Sequence, residues 1–210
     1  YNIQILDEFG KELPNGNLGA IAIKLPLPPG TLSTIWNADH RYESSYLKSF
    51  SGYYETGDAG YKDDDDYLYI MARTDDVMNV AGHRLSSGQM EEVLASHPDI
   101  AECAVIGAAD ALKGQLPIGI MCTNVDTEKS NEEIINECIK LVRTKIGPVA
   151  AFKIAIIVDR LPKTRSGKIL RGTIVKIADG NPYKAPATID DPKILEEITL
   201  ALKNIGYPKL

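Results

Sequence analysis

Cysteine is scarce in this 210-residue chain: Cys103, Cys122 and Cys138 are an odd number and form no CxxC pair. That argues against a disulfide framework or a zinc knuckle and points to a reducing compartment. The three histidines, His40, His83 and His97, are widely separated. Nothing in their spacing supports a metal site, and none is expected. No apolar run approaches the roughly 18 residues that mark a membrane span, so no membrane partner is expected. Basic charge is not in excess either, with 23 Lys+Arg against 29 Asp+Glu and a net charge of -6. That argues against nonspecific nucleic-acid binding, which needs a basic face. The acidic run Asp63-Asp64-Asp65-Asp66 lacks the alternate-position spacing, glycine and distal glutamate of an EF-hand, and reads as a solvated hairpin tip. No repeat, low-complexity segment or signal peptide is visible. The chain opens on Tyr1 inside a strand-like stretch, so a piece of a longer protein is expected and missing targeting signals carry no weight.

The 44% apolar and 25% charged residues are those of an ordinary globular protein, enough for one large or two small domains. Cations cluster late, around positions 140–176. The stretch Leu161-Pro162-Lys163-Thr164-Arg165-Ser166-Gly167-Lys168 follows the apolar strand Ile154–Val158 and precedes a helix-like segment from Ile169 to Ala178. A glycine beside a lysine lets backbone approach an anion while the lysine supplies a mobile point charge. Arg165 and Arg171 raise the local potential. The stretch is no P-loop, since Ile169 follows the lysine and no earlier glycine sits at the right spacing. A loop that carries Lys168 to a phosphate or carboxylate and a solvated basic turn both fit.

Along the chain, Ile3–Leu6 and Leu18–Lys24 read as strands around turn signals, and His40–Lys48 reads as a helix. Gly52 to Asp58 reads as a short strand ending at Gly57-Asp58. A carboxylate at a strand end can grip a vicinal diol such as a ribose, and it can equally close an Asx turn. Tyr61 to Ile70 reads as a hairpin. Ala72 to Arg84 lacks either periodicity and suits an interdomain connector, with a boundary near Asp75. Beyond it come a helix over 86–96, short strands at Ala104–Gly107 and Ile118–Thr123 joined by a loop over 110–117, and a helix over 130–146. That helix has a capping box from Ser130 to Glu133 and an apolar face of Ile134, Ile135, Cys138, Leu141, Val142 and Ile146. Arg143 falls in its last turn, where the helix dipole alone favours a cation. A terminal helix over 193–204 completes a small α+β domain, a short β-sheet flanked by helices, after a β-rich first part of the chain.

Taken together, Tyr54-Glu55-Thr56-Gly57-Asp58, Arg73-Thr74-Asp75-Asp76, Gly82-His83-Arg84 and Pro162–Lys168 occur in an order that resembles the carboxyl-terminal third of the AMP-forming acyl-CoA synthetases of the adenylate-forming superfamily. The resemblance covers nearly the whole chain. Gly30–Asn37 and Lys113-Gly114-Gln115 are similar to the short-chain branch of acetyl- and propionyl-CoA synthetases. Ile146–Phe152 and Ala187–Pro192 look more like the propionyl enzymes.

The resemblance implies residues 1–74 as the end of the large domain, 75–76 as hinge and 77–210 as the mobile small domain. It implies small-molecule substrates: ATP with Mg2+, a short-chain carboxylate and CoA. Lys168 is implied as the catalytic adenylation lysine, Asp58 and Arg73 at the ATP ribose, and Arg84 at the phosphates. Asp75 is implied as the hinge, Gly82 where the CoA pantetheine arm passes, and Arg143 at the CoA 3′-phosphate. No residue identified here binds Mg2+. The family's phosphate loop, adenine-contacting segment and carboxylate pocket are not in this chain, so by itself it is not expected to complete adenylation. Other readings stay open: an adenylation domain loading a carrier protein, or a non-catalytic nucleotide or CoA sensor. Lys168 could also be the target of a lysine acyltransferase or deacylase. Cytosol and mitochondrial matrix both fit.

Overall fold

The computed structural model describes residues 1–209, which divide into two compact units, the first Tyr1–Val77 and the second from Met78 onward. The first unit is a four-stranded antiparallel sheet of order β1-β2-β3-β4, formed by β1 (Ile3–Leu6), β2 (Gly19–Lys24), β3 (Tyr53–Lys62) and β4 (Leu68–Arg73). Helix α1 (Asp39–Tyr46) sits between β2 and β3 in the chain. Ile5, Leu6, Ala20, Ile21, Ala22, Tyr42 and Ala59 form its buried apolar set. The acidic run is the tip of the β3–β4 hairpin, where Asp63 Oδ1 accepts from the N–H groups of Asp65 and Tyr67.

The second unit has a five-stranded sheet built from β5 (Val77–Val80, its first residue at the division), β6 (His83–Ser86), β7 (Ile100–Asp110), β8 (Gly114–Thr123) and β9 (Ile154–Ile157). The order is β6-β5-β8-β7, and β9 pairs parallel with β8. Side-chain alternation on β7 and β8 divides the core. Ala104, Ile106, Ala108, Ile118, Ile120 and Cys122 face α4 (Arg171–Ala178) and α5 (Ile194–Asn204) through Ile174, Ile177, Ile198 and Leu202. Val105 and Met121 pack with α2 (Ser87–Ala95) and α3 (Asn131–Lys145) through Met90, Leu94, Ile134, Cys138 and Val142. The result is an α+β layer structure with helices on both faces of one sheet.

Local signals account for several ends. Ser86 caps α2 by accepting from Gln89 N–H, and Ser130 and Glu133 form the expected capping box on α3. Other expectations need correction. The strand through Tyr53 continues past Asp58 to Lys62, so Asp58 is a mid-strand residue and not a strand terminator. The connector over 72–84 takes in the end of β4, a 3-10 turn at Thr74–Asp76, the strand β5 and the start of β6. The expected loop over 110–117 is a tight turn, because β7 and β8 pair from Asp110–Gly114 to Ile100–Thr123. No helix among the described residues is long and apolar enough to cross a membrane.

Candidate functional site

In the first unit Asp58 and Arg73 are direct cross-strand partners on β3 and β4. Arg73 Nη1 donates to Asp58 Oδ1 at 2.9 Å, and Arg73 Nε lies 3.9 Å from Asp75 Oδ1. Thr56 supports the carboxylate strand: its hydroxyl donates to Ile21 O at 2.7 Å and accepts from Asp58 N–H at 3.1 Å. A Cβ on Gly57 would lie 2.5 Å from Arg73 Nη2, and Gly57 has a φ of +76°. The positive φ favours glycine here, and a side chain would also push the Arg73 guanidinium aside. Arg73 and Asp75 line an open cleft of about 510 Å³ with Ser45, Tyr46, Glu55, Thr56, Gly57 and Thr74. Asp58 is not among the lining residues, but it bonds to Arg73, which is. Tyr46, stacked on Tyr54 at 5.1 Å between ring centroids, was not singled out by sequence.

In the second unit Ala81 and Gly82, with φ values of +51° and +86°, turn β5 into β6. Both central residues in left-handed conformation is the geometry that matches strand twist in a tight hairpin. A Cβ on Gly82 would meet nothing within 4 Å, so packing does not demand glycine; the positive φ favours it. The Lys113-Gly114-Gln115 motif braces this turn. Lys113 O accepts from Ala81 N–H at 2.8 Å, and Gln115 Oε1 accepts from Asn79 N–H at 2.7 Å. Arg84 follows on β6, half-buried. In sequence the motif marks only the short-chain branch; the fold gives it this bracing contact.

Arg143, in the last turn of α3, lines a cavity of about 230 Å³ with Lys113, Lys153, Ile139, Pro148, Ala151 and Phe152. Three cations thus border an apolar pocket. Ala151 at its rim adopts a left-handed conformation, φ +49°, which costs a residue with a Cβ about 1–2 kcal/mol.

Lys168 sits on a hairpin within the second unit. Lys163 and Ile169 form an antiparallel bridge, Thr164 N–H donates to Lys168 O at 2.8 Å, and Gly167 N–H donates to Thr164 O at 2.8 Å. Lys168 N–H donates to Thr164 Oγ1 at 3.1 Å. The segment 188–190 adds a further edge through Arg165 N–H to Thr188 O and Asp190 N–H to Lys163 O. Lys168 is exposed, and its ammonium pairs with no carboxylate of the described residues. Arg171 does not lend its charge freely to this loop, as the sequence suggested: it forms a two-pronged ion pair with Glu91.

Among the described residues His97, Asp99 and Glu137 come together, which their separation in sequence concealed. His97 Nδ1 accepts from Asp99 N–H, leaving Nε2–H to donate to Glu137 Oε2 at 2.9 Å. Lys129 Nζ lies 2.6 Å from Glu137 Oε2 and 3.1 Å from Asp99 Oδ2. Lysine thus takes the place between the carboxylates that a cation would occupy. The cysteines are unsuited to nucleophilic work, because burial pushes the thiols up, Cys103 to about 12 and Cys122 and Cys138 to about 11.

The family model of the AMP-binding enzyme C-terminal domain matches residues 89–168. An uncharacterized protein of Pseudomonas aeruginosa is 53% identical over 97% of this chain and 32% of its own length. The mitochondrial acyl-CoA synthetase short-chain family member 3 of Mus musculus is 48% identical over 97% of this chain and 30% of its own. The propionate–CoA ligase of Escherichia coli is 40% identical over 97% and 33%. Among solved structures, the o-succinylbenzoate CoA synthetase of Bacillus subtilis, in complex with an acyl-adenylate intermediate, aligns with a TM-score of 0.64 at 27% identity, over 81% of this chain and 32% of that one. The chain spans about a third of the length of the curated relatives it matches.

Proposed function

We propose, from the premise that residues 89–168 are an AMP-binding enzyme carboxyl-terminal domain and that the chain around them is homologous to short-chain acyl-CoA synthetases, that this chain is the carboxyl-terminal part of an AMP-forming acid–thiol ligase. A carboxylate attacks the α-phosphate of ATP, brought in with Mg2+, to give acyl-adenylate and pyrophosphate. The CoA thiol then attacks the acyl carbon and AMP leaves. Propionate is the preferred acid. Its support is the likeness to a propionate–CoA ligase and the motifs at Ile146–Phe152 and Ala187–Pro192.

The observation that carries this reading is the Lys168 hairpin, in which the backbone is bonded internally while the ammonium stays exposed and unpaired. Adenylation brings two anions together. A lysine held between carboxylate and phosphate offsets that repulsion and stabilises charge as it develops. Asp58 keeps Oδ2 available for ribose hydroxyls while Arg73 holds Oδ1. Arg84 meets the phosphates. Asp75 is the hinge, so that Lys168 withdraws before CoA enters. The pantetheine arm passes Gly82, and Arg143 takes the 3′-phosphate with Lys113 and Lys153 beside it. Those three cations favour CoA over a carrier-protein thiol, which brings no 3′-phosphate. They suit a CoA sensor equally, and catalysis separates the two. The cytosol or mitochondrial matrix is the proposed compartment, in keeping with three free cysteines.

The test is AMP release by the full-length polypeptide that contains this chain, with ATP, Mg2+, CoA and acetate, propionate or butyrate in turn. Release should need both CoA and carboxylate and be fastest with propionate. Lys168→Ala should slow acyl-adenylate formation by about 10²–10³ and spare thioester formation from supplied acyl-adenylate. Saturable CoA binding without carboxylate-dependent AMP would point instead to a non-catalytic sensor.

A further inference from the structure

We propose that Glu91 and Arg171 are positioning residues for Lys168: the ion pair between them fixes the base of the lysine hairpin on α2 and β7. This rests on the adenylation role given to Lys168 above. Arg171 is the first residue of α4, three residues beyond Lys168. Every step between them is held. Lys168 O accepts from Thr164 N–H, Ile169 bridges Lys163, and Leu170 N–H donates to Pro162 O at 2.9 Å. Arg171 then donates from Nε to Glu91 Oε1 at 2.8 Å and from Nη2 to Glu91 Oε2 at 2.7 Å.

Glu91 is itself anchored. It projects from α2, and its Oε1 also accepts from Val105 N–H of β7 at 2.8 Å. That N–H lies on the outermost strand of the sheet, where ladder bonding leaves half the backbone groups without a strand partner. One carboxylate therefore joins α2, β7 and the start of α4. The other arm of the hairpin is tied to the same strand, through the ion pair of Lys163 with Glu102.

Helix stability alone does not explain this choice of residue. A cation at the first position of a helix faces the positive end of the dipole, and Leu170 provides no side-chain cap. An acidic residue or a serine there would serve α4 better. What arginine supplies is a planar fork that fixes both distance and orientation against a carboxylate, which a lysine cannot do. The pair is also mostly buried, with side chains 26% and 15% exposed, so water does not loosen it. A reacting lysine needs such a mount, because a misplacement of about 1 Å can cost about 10²-fold in rate.

The test uses Arg171→Lys, which keeps the charge and loses the fork, and Glu91→Gln, which keeps an acceptor for Val105 N–H and loses the charge. Both are made in the full-length polypeptide. Carboxylate-dependent ATP–pyrophosphate exchange reads adenylation, and thioester formation from supplied acyl-adenylate reads the second half. Arg171→Lys should lower kcat of adenylation by about 10²-fold with KM for ATP little changed and the thioester half intact. Glu91→Gln should act in the same direction, and the double variant should be no worse than the more impaired single one. If both halves fall in parallel with loss of folded protein, the pair is merely structural and the proposal is overturned. Unchanged adenylation in either folded variant overturns it too. Lys168→Ala in the same assay separates the two levels. If it leaves adenylation intact, the role of Lys168 fails; if it abolishes adenylation while the pair variants do not, only the positioning role fails.

Discussion

Two arginine–carboxylate pairs, one in each unit, show how the same chemistry can be left open or closed. Arg73 and Asp58 share one bond, and their side chains are 55% and 34% exposed beside an open cleft. Among the described residues Asp58 Oδ2 and Arg73 Nη2 make no hydrogen bond. Glu91 uses both oxygens on Arg171 and adds Val105 N–H, with only 15% of its side chain exposed. The first pair has binding capacity left over; the second has spent it on the fold. Spare lone pairs and exposure, more than ion-pair distance, separate the proposed ligand site from the proposed mount.

Removing the arginine in each case should separate the two pairs most sharply. Arg171→Ala leaves the mostly buried Glu91 carboxyl without its partner, a change that costs about 3 kcal/mol in such settings. Thermal unfolding should show it as a drop of about 10 °C. A midpoint within a degree or two of the parent would mean that the pair is as dispensable as a surface bridge, and the contrast would collapse. Asp58→Asn should do the reverse. The exposed pair contributes about 0–1 kcal/mol to stability, so the midpoint should barely move. A charged hydrogen bond to the ribose contributes about 1.5–3 kcal/mol, so ATP affinity should fall about 10–100-fold, read by equilibrium titration. Unchanged ATP affinity would remove Asp58 from the nucleotide site.

How much of this was legible depended on whether the signal was local. Ser130, Glu133 and the run of Ile134, Cys138 and Val142 announce α3 within a few residues, as the acidic run announces its hairpin tip. The turn end of β7 and β8 is hard to see in sequence because Asp110, Lys113, Gly114 and Gln115 resemble a loop, although the ladder runs out to Asp110–Gly114. The Lys168 loop was visible as a basic turn, but residue chemistry alone left its role undecided between anion binding and solvation. Glu91 was invisible as Arg171's partner: the two stand 80 positions apart, and an acid on a helix face ordinarily points to water. The brace of Lys113 and Gln115 under the Gly82 turn was hidden in the same way, since only the β5–β8 pairing brings those residues together.

A third charged group extends the comparison to its weakest member. Lys129 lies between Glu137 and Asp99, with Lys129 and Glu137 nearly half exposed. Lys129 first, and then His97, hold the Glu137 carboxyl below its ordinary 4.5. The Thr127 hydroxyl and then Lys129 hold Asp99 below its ordinary 3.8. Depressed carboxyl values mean that the unfolded chain takes up protons before the folded one does. The stability they contribute is fully present above the ordinary values and is lost as pH falls through the depressed ones. Urea unfolding between about pH 6 and about pH 3 should therefore show a declining midpoint in the acid limb. Lys129→Met should make that decline shallower, because both carboxyls then return toward their ordinary values. It should leave the protein folded at neutral pH, since the Lys129–Glu137 bridge is nearly half exposed and adds little. An identical acid slope with and without Lys129 would assign the depression to Thr127 and His97. The exposed lysine would then belong with solvent, at the far end of the scale from Arg171.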